Sequence, residues 1–399
     1  MDNLIIKNIM KGSPPSKEYQ VSLDNWRKHP FNKWAFVNTR EIIPTSLIFS
    51  NEKKESEFQL DFNDLNNMEI IHKENKLILK NILKECQTDA FIVLHRGKLI
   101  FEYFDYFTKK HTPHIVFSVS KSLTSLTVGI LESKGVLDVN KNISYYIPEI
   151  KGSAYDTATI RNVLDMNVAS NFIEDYLNPS GIFGEYRNAT GWDKSDSLKN
   201  NEDGLRLFLS KMPKSKLNHG EKYHYCSPHS DLLGWLIERT TGEKYSSVMS
   251  NLLFKPSGTI HNANVTLDKW GAPRSAGGIS VSPYDLLLIA ELVRCEGSNK
   301  NGQIIPSSWI NDFKNYDNKF AYQNQDKLER FPNGNYRSKW YQTGFDDNEF
   351  CAIGIHGQNI WINPKKEITI VRMSSAIDPI NIITEELMFS VFKDISKAL

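Results

Sequence analysis

The sequence has little of what marks several classes of protein. Its 399 residues include only 4 cysteines, Cys86, Cys226, Cys295 and Cys351, none in CxxC spacing. That excludes a zinc ribbon and a disulfide framework, and the four read as reduced, mostly buried thiols. Net charge is almost absent: 48 Lys+Arg against 47 Asp+Glu give +1, which leaves no electrostatic footprint for nucleic acid. No run of 18 apolar residues occurs, so no membrane span is expected. The apolar stretch near Met1 is broken at Lys7 and Asn8 and is too short for a signal core, so the chain is read as cytoplasmic. The 10 histidines form no HExxH or comparable cluster, and neither a metal nor another cofactor is expected. What is present is globular in character, with 40% hydrophobic and 24% charged residues, and no repeat or low-complexity tract.

Along the chain, residues 1–80 mix apolar patches such as Trp34 to Phe36 with a charged run from Glu52 to Glu57, and read as an extension that packs on a core. Thr88 to Phe107 contains two strands rich in Val, Ile, Phe and Tyr around an Arg96-Gly97 turn, a hairpin signal. From Ser118 to Lys134, Val119, Leu123, Leu126, Ile130 and Leu131 recur at helical spacing, with Gly135 placed as a C-cap. Helical patterns dominate from about 155 to 295, at Ile160 to Met166, Gly204 to Leu209, Ser230 to Thr240 and Pro283 to Val293. Ala352 to Ile355, Asn359 to Ile362 and Ile368 to Met373 read as strands, and Ile382 to Lys397 as a closing helix. If the late strands join the early hairpin, the division is a discontinuous α/β sheet domain over 81–117 and 296–399, with a mainly helical domain over 118–295 inserted into it.

The sharpest chemical signal is Ser118-Val119-Ser120-Lys121. Residues at i and i+3 share a helix face, so the Lys121 amine reaches the Ser118 hydroxyl, and the helix N-terminus favours a developing oxyanion. A lysine base must be neutral, which requires its pKa to fall by roughly 3 units, about 4 kcal/mol, through desolvation or neighbouring cations. The same spacing occurs at Ser50 to Lys53 and Ser390 to Lys393. Ser118 stands apart because it follows the hairpin and opens the most apolar helix. Two further features carry possible chemistry. Tyr225, in the segment entering the helix that contains Asp231 to Trp235, offers a phenol as proton relay, with a nearby cation expected to favour phenolate; its alternative is a packing residue. Gly354-Ile355-His356-Gly357-Gln358 is a glycine-interrupted strand edge where a backbone N–H meets an oxyanion, or else simply a bulge or hairpin turn.

In this order the three features resemble the serine β-lactamase, penicillin-binding-protein and esterase superfamily, with its SxxK, tyrosine and third-strand motifs. Gly135 to Asp138, Ile143 to Glu149, Thr159 to Met166 and Ala276 to Ile279 extend the likeness. Within the superfamily the chain resembles the 6-aminohexanoate-dimer (nylon-oligomer) hydrolases at Phe31 to Phe36, Ser118 to Leu123, Glu174 to Tyr176, Tyr225 to Ser227 and Gly354 to Gln358. The resemblance implies a β-lactamase-like (transpeptidase) fold, α/β plus all-α, with an antiparallel sheet flanked by helices and an inserted helical domain. It also implies Ser118 as nucleophile, Lys121 as its base, Tyr225 as the proton shuttle and the Ser118 and Ile355 N–H groups as the oxyanion hole. Tyr176 corresponds to a loop tyrosine that closes over substrate; Tyr176, Arg187, Ala276 and His356 are expected to bind it.

Two departures bear on the substrate. Arg187 stands where active nylon-oligomer enzymes have an acidic residue, and Ala276 where they have asparagine; an arginine repels a substrate ammonium and instead suits a carboxylate or a neutral polar group. Ala352-Ile353-Gly354 replaces the Lys-Thr-Gly of β-lactamases, which removes the anchor for a penicillin carboxylate and predicts poor β-lactam turnover. The leading expectation is a serine hydrolase acting on a small-molecule ester or linear amide, with no nucleic acid or membrane partner and with a homodimer left open. An acyltransferase or peptide-releasing enzyme using the same acyl-enzyme, and a noncatalytic binding protein that keeps the fold, are its rivals. Cys226 is the one thiol that competes as nucleophile.

Overall fold

The central strands are apolar at almost every position, and the computed structural model shows why: the sheet is covered on both faces. It describes residues 2–51, 58–176, 180–193, 204–325, 330–345 and 347–399. The run Glu52 to Glu57, and with it the Lys53 of one SxxK repeat, lies outside the described residues. In Thr88–His95 successive side chains alternate. Ile92 and Leu94 join the cluster of Val119, Leu123, Leu126 and Ile289, whereas Phe91 and Val93 join Val391, Phe392 and Ile395 of the closing helix Ile382–Ala398.

The sheet has eight strands in the order Asn335–Arg337, Trp340–Gln342, Phe350–Gly354, Gln358–Asn363, Ile368–Ser374, Thr88–His95, Lys98–Phe104 and Gln59–Leu60. Every neighbouring pair is antiparallel except the last, where Gln59 and Leu60 run parallel to Lys98 and Leu99. The late strands thus join the early hairpin through Ile368–Ser374 against Thr88–His95. Helix Val119–Ser133 packs on Phe350–Gly354 from one side. Pro283–Arg294, grouped by sequence with the helical block, packs across Ile368–Ser374 and Thr88–His95.

Helix Ser227–Thr241 is the axis of the inserted block, touching Val119–Ser133, Ile143–Tyr146, Ile160–Leu164, Leu205–Ser210 and Tyr245–Met249. This region is not wholly helical. Ala263–Thr266 and Ile279–Val281 form a second sheet with Thr45–Ile48 and His114–Ile115. Strands of two to four residues are too short for periodicity to reveal, yet this sheet lays residues 276–279 beside Ser118, with Val116 N–H donating to the Ile279 carbonyl at 2.9 Å.

The N-terminal extension is tied down by a buried polar anchor. Asn32 Nδ2 donates to the Ser375 carbonyl at 2.9 Å, and the Lys33 ammonium meets Asp89 Oδ1 at 2.7 Å. His114 Nε2 lies 3.2 Å from the other Asp89 oxygen. Trp26, Trp34, Phe36, Phe117 and Trp192 close an aromatic cluster above it. Among the described residues no helix is long and apolar enough to cross a membrane.

Candidate active site

Ser118 occupies the N-cap of Val119–Ser133 and Lys121 stands one turn later on the same face. The turn into the helix passes through Phe117, which holds a left-handed φ of 42°, uncommon for a residue with a side chain. Its ring is wedged against Phe36 and Trp26 at centroid distances of 4.9 and 6.3 Å. Lys121 is 2% exposed, and its Nζ lies 2.8 Å from Ser118 Oγ and 2.7 Å from the Ala276 carbonyl. Burial lowers its pKa to about 8; Glu174 and Asp231 partly oppose this, while Arg274 adds to it. As an ammonium Lys121 donates to both oxygens; once neutral it keeps a proton on Ala276 and presents a lone pair to the Ser118 hydroxyl.

The other serines of this motif are occupied elsewhere. Ser120 Oγ accepts from Ile279 N–H at 3.1 Å and Ser122 Oγ donates to the Lys339 carbonyl at 2.7 Å. In the third SxxK repeat, Ser390 Oγ donates to the Glu386 carbonyl and Lys393 lies over the Phe345 ring.

Phe350–Gly354 brings the third motif alongside. A Cβ on Gly354 would stand 2.7 Å from the Val116 carbonyl and 3.1 Å from Ser118 N, so only glycine lets the strand edge come this close. Among the described residues neither Ser118 N–H nor Ile355 N–H appears in a backbone hydrogen bond outside helices and strands, and both residues line one cavity. His356 follows with φ 59°. Its N–H donates to the Pro379 carbonyl at 2.9 Å and its Nδ1 to the Ala376 carbonyl at 2.8 Å. Burial drops its pKa to about 4, so the ring is neutral.

Tyr225 immediately precedes helix Ser227–Thr241 and its N-cap Cys226. Lys121 Nζ is 5.1 Å from its ring centroid, and its phenol interacts with the Ser118 side chain. The expectation that a neighbouring cation favours phenolate is overturned: burial, followed by Tyr341 and Glu174, pushes the phenol well above its ordinary pKa. Tyr225 in the free protein is therefore a neutral phenol. Cys226 is fully buried with its thiol pushed well up by burial, which removes it as a competing nucleophile.

A cavity of about 390 Å³ opens at Ser118 and Lys121. Of the expected substrate residues, Tyr176, Arg187, Ala276 and His356 all stand on its wall with Ile355, whereas Tyr225 does not. The Tyr176 hydroxyl donates to Glu174, and Glu174 also accepts from Ser227 N–H at 2.6 Å and Ser227 Oγ–H at 2.7 Å. Arg187 is not a solvated loop charge: its Nε and Nη2 meet Asp193 at 2.5 and 2.8 Å.

Several residues of the site were not visible in the sequence. Asp231 accepts from the Ala276 N–H at 2.8 Å and from the Tyr186 hydroxyl at 2.5 Å, and pairs with Arg274. It thereby anchors the residue whose carbonyl holds Lys121. The Arg274 guanidinium lies between the Tyr186 and Trp192 rings at 4.7 and 5.0 Å. The extension also does more than pack, since Leu23, Asp24, Arg27 and Lys28 line the cavity. Among the described residues no three His, Cys, Asp or Glu side chains group as metal ligands.

Comparison with known proteins places this geometry in context. The Beta-lactamase family profile matches residues 79–381. The 6-aminohexanoate-dimer hydrolase of Paenarthrobacter ureafaciens is 29% identical over 97% of this chain and 96% of its own length. A solved protein from Bacillus anthracis, provisionally assigned as a 6-aminohexanoate-dimer hydrolase, superposes with a TM-score of 0.86 at 22% identity, covering 96% of this chain and 98% of that one. EstCE1, described as a hydrolase with promiscuous acyltransferase activity, is similar in fold, with a TM-score of 0.60 at 14% identity over 78% of this chain and 96% of that one.

Proposed function

The chain belongs to the Beta-lactamase family and is an enzyme of the serine hydrolase superfamily; from that premise we propose that it cleaves a small ester or linear amide through an acyl-enzyme on Ser118. The observation that carries this reading is the buried Lys121 amine, held between Ser118 Oγ at 2.8 Å and the Ala276 carbonyl at 2.7 Å, with a pKa near 8. Neutral Lys121 takes the Ser118 proton as Oγ attacks the substrate carbonyl. The oxyanion forms against the Ser118 and Ile355 N–H groups, where each donor contributes roughly 3 kcal/mol to transition-state stabilisation.

Collapse of the tetrahedral intermediate needs a proton on the departing alcohol or amine. Tyr225, a neutral phenol beside Ser118 and Lys121, is the relay: it gives its proton toward the leaving group and regains one from the Lys121 ammonium. Water then attacks the acyl carbonyl, Lys121 accepts its proton, and the acid departs with Ser118 restored. Tyr176 on the cavity wall contacts the bound substrate.

The test is Ser118→Ala assayed with p-nitrophenyl acetate. Loss of turnover in a folded variant is expected; turnover at the wild-type rate overturns the reading.

A further inference from the structure

The proposed hydrolysis leaves open which substrate the cavity selects, and among the described residues the charges on its wall are not balanced. Arg27 from the extension and Arg187 from helix Gly181–Ala189 both reach Asp193. One oxygen of that carboxylate receives Arg27 Nη2 and Arg187 Nη2, and the other receives Arg187 Nε. One carboxylate neutralises only one of two guanidiniums. Lys28 stands on the same wall with Asp24, so that pair adds no net charge. Deeper in, Arg274 is paired with Asp231, and Glu174 is the acid that most favours the Lys121 ammonium. Among the described residues the surplus cation is therefore on the Arg27–Asp193–Arg187 side.

Both guanidiniums are held in place by Asp193, which leaves the pair with one positive charge in excess. Arg27 lies over the Trp26 ring at 5.1 Å and Arg187 over Phe183 at 6.0 Å, contacts that help to fix each plane, while Asp193 takes Arg27 Nη2 and Arg187 Nε and Nη2. Their side chains remain about one-fifth exposed, at 22% and 21%, and both line the cavity that contains Ser118. Arg27 shows the crowding: burial lowers its pKa to about 10, Asp193 opposes the fall, and Arg187 adds to it.

We propose that Arg27 and Arg187, bridged by Asp193, form an anion subsite, and that the substrate is a linear ester or amide carrying a free carboxylate. This rests on the Ser118 reading and adds to it the class of substrate. A substrate carboxylate would accept from guanidinium N–H groups that Asp193 does not take and neutralise the positive charge that Asp193 leaves over. A substrate ammonium at the same place is repelled.

The experiment measures kcat/KM for three acyl esters of equal length, mono-p-nitrophenyl glutarate, p-nitrophenyl valerate and the p-nitrophenyl ester of 5-aminovalerate, and for 4-acetoxybenzoate against phenyl acetate, which moves the carboxylate to the leaving group. In wild-type protein at low salt, one carboxylate-bearing ester is expected to exceed its neutral counterpart by roughly 10- to 100-fold, the range of one charge-assisted contact. The aminated ester is expected to be the poorest of the acyl series. In Arg187→Met and Arg27→Met the ratio of anionic to neutral kcat/KM falls at least tenfold, chiefly through KM. Because the ratio is internal to each protein, a general loss of activity does not mimic it. Equal kcat/KM for charged and neutral esters in the wild type, or an unchanged ratio in both variants, overturns the subsite. If Ser118→Ala abolishes neutral-ester turnover while no anionic preference exists, the subsite fails and the Ser118 reading stands; if Ser118→Ala keeps full activity, that reading fails. Binding of glutarate to Ser118→Ala, weakened by Arg187→Met in calorimetry, tests the subsite without turnover.

Discussion

The protonation state of Lys121 sets the rate of acylation in this account, and pH is the cleanest way to perturb it. Burial brings the amine from its ordinary 10.5 to about 8, a shift equivalent to about 3 kcal/mol. An unshifted lysine is neutral in only about 0.03% of molecules at pH 7, whereas one titrating near 8 is neutral in about 10%. The environment thus raises the competent fraction by roughly 300-fold at neutral pH. Under single turnover with a p-nitrophenyl ester, the acylation rate should climb about tenfold from pH 6 to 7, about fivefold more to pH 8, and level off above pH 9.

Glu174→Gln supplies the second arm. Glu174 favours the ammonium, so removing its charge makes protonation less favourable and moves the limb to lower pH. The amide keeps an oxygen able to accept from Ser227 N–H. Stopped-flow absorbance across pH 5.5 to 10, with wild-type and variant proteins side by side, resolves both effects. A flat acylation rate between pH 6 and 9, or a limb that moves upward in Glu174→Gln, refutes the assignment of Lys121 as base.

Other perturbations test separate parts of the structure. Gly354→Ala places a methyl 2.7 Å from the Val116 carbonyl and 3.1 Å from Ser118 N; the strand edge must retreat, and a fall in kcat of roughly 100-fold, with folding retained by circular dichroism, is expected from loss of one oxyanion donor. Lys33→Ala leaves Asp89 buried without its 2.7 Å partner, and denaturant unfolding should show a loss of about 3–5 kcal/mol. Asp231→Ala strands the buried Arg274 and frees the Ala276 peptide; it should lose both stability and acylation rate, whereas Cys226→Ala should retain the pH profile of the wild type. An unchanged melting temperature in Asp231→Ala, or a lost acylation limb in Cys226→Ala, contradicts these assignments.

The elements with strong patterns were legible before any coordinates. The hairpin appears as Thr88–His95 and Lys98–Phe104, the nucleophile helix as Val119–Ser133 and the closing helix as Ile382–Ala398, because each is long and its apolar residues follow one period. Ser118 and Lys121 were legible for the same reason, since their contact is local to one helical turn. What escaped is what depends on distant partners. Arg27 and Asp193 are 166 residues apart, and nothing near Arg27 in the chain signals a cavity wall. Asp231 sits in an apolar helix, and its bond to the Ala276 peptide exists only after the second sheet forms. The state of Tyr225 was misjudged because proximity to a cation is visible in a motif, while the burial that outweighs it is not.

The most direct test of the central claim is peptide-mapping mass spectrometry of protein quenched rapidly with acid during turnover of a p-nitrophenyl ester and then digested. The account predicts an acyl adduct on the peptide containing Ser118, absent from Ser118→Ala. An adduct on any other residue, or turnover with no adduct and full activity in Ser118→Ala, contradicts it.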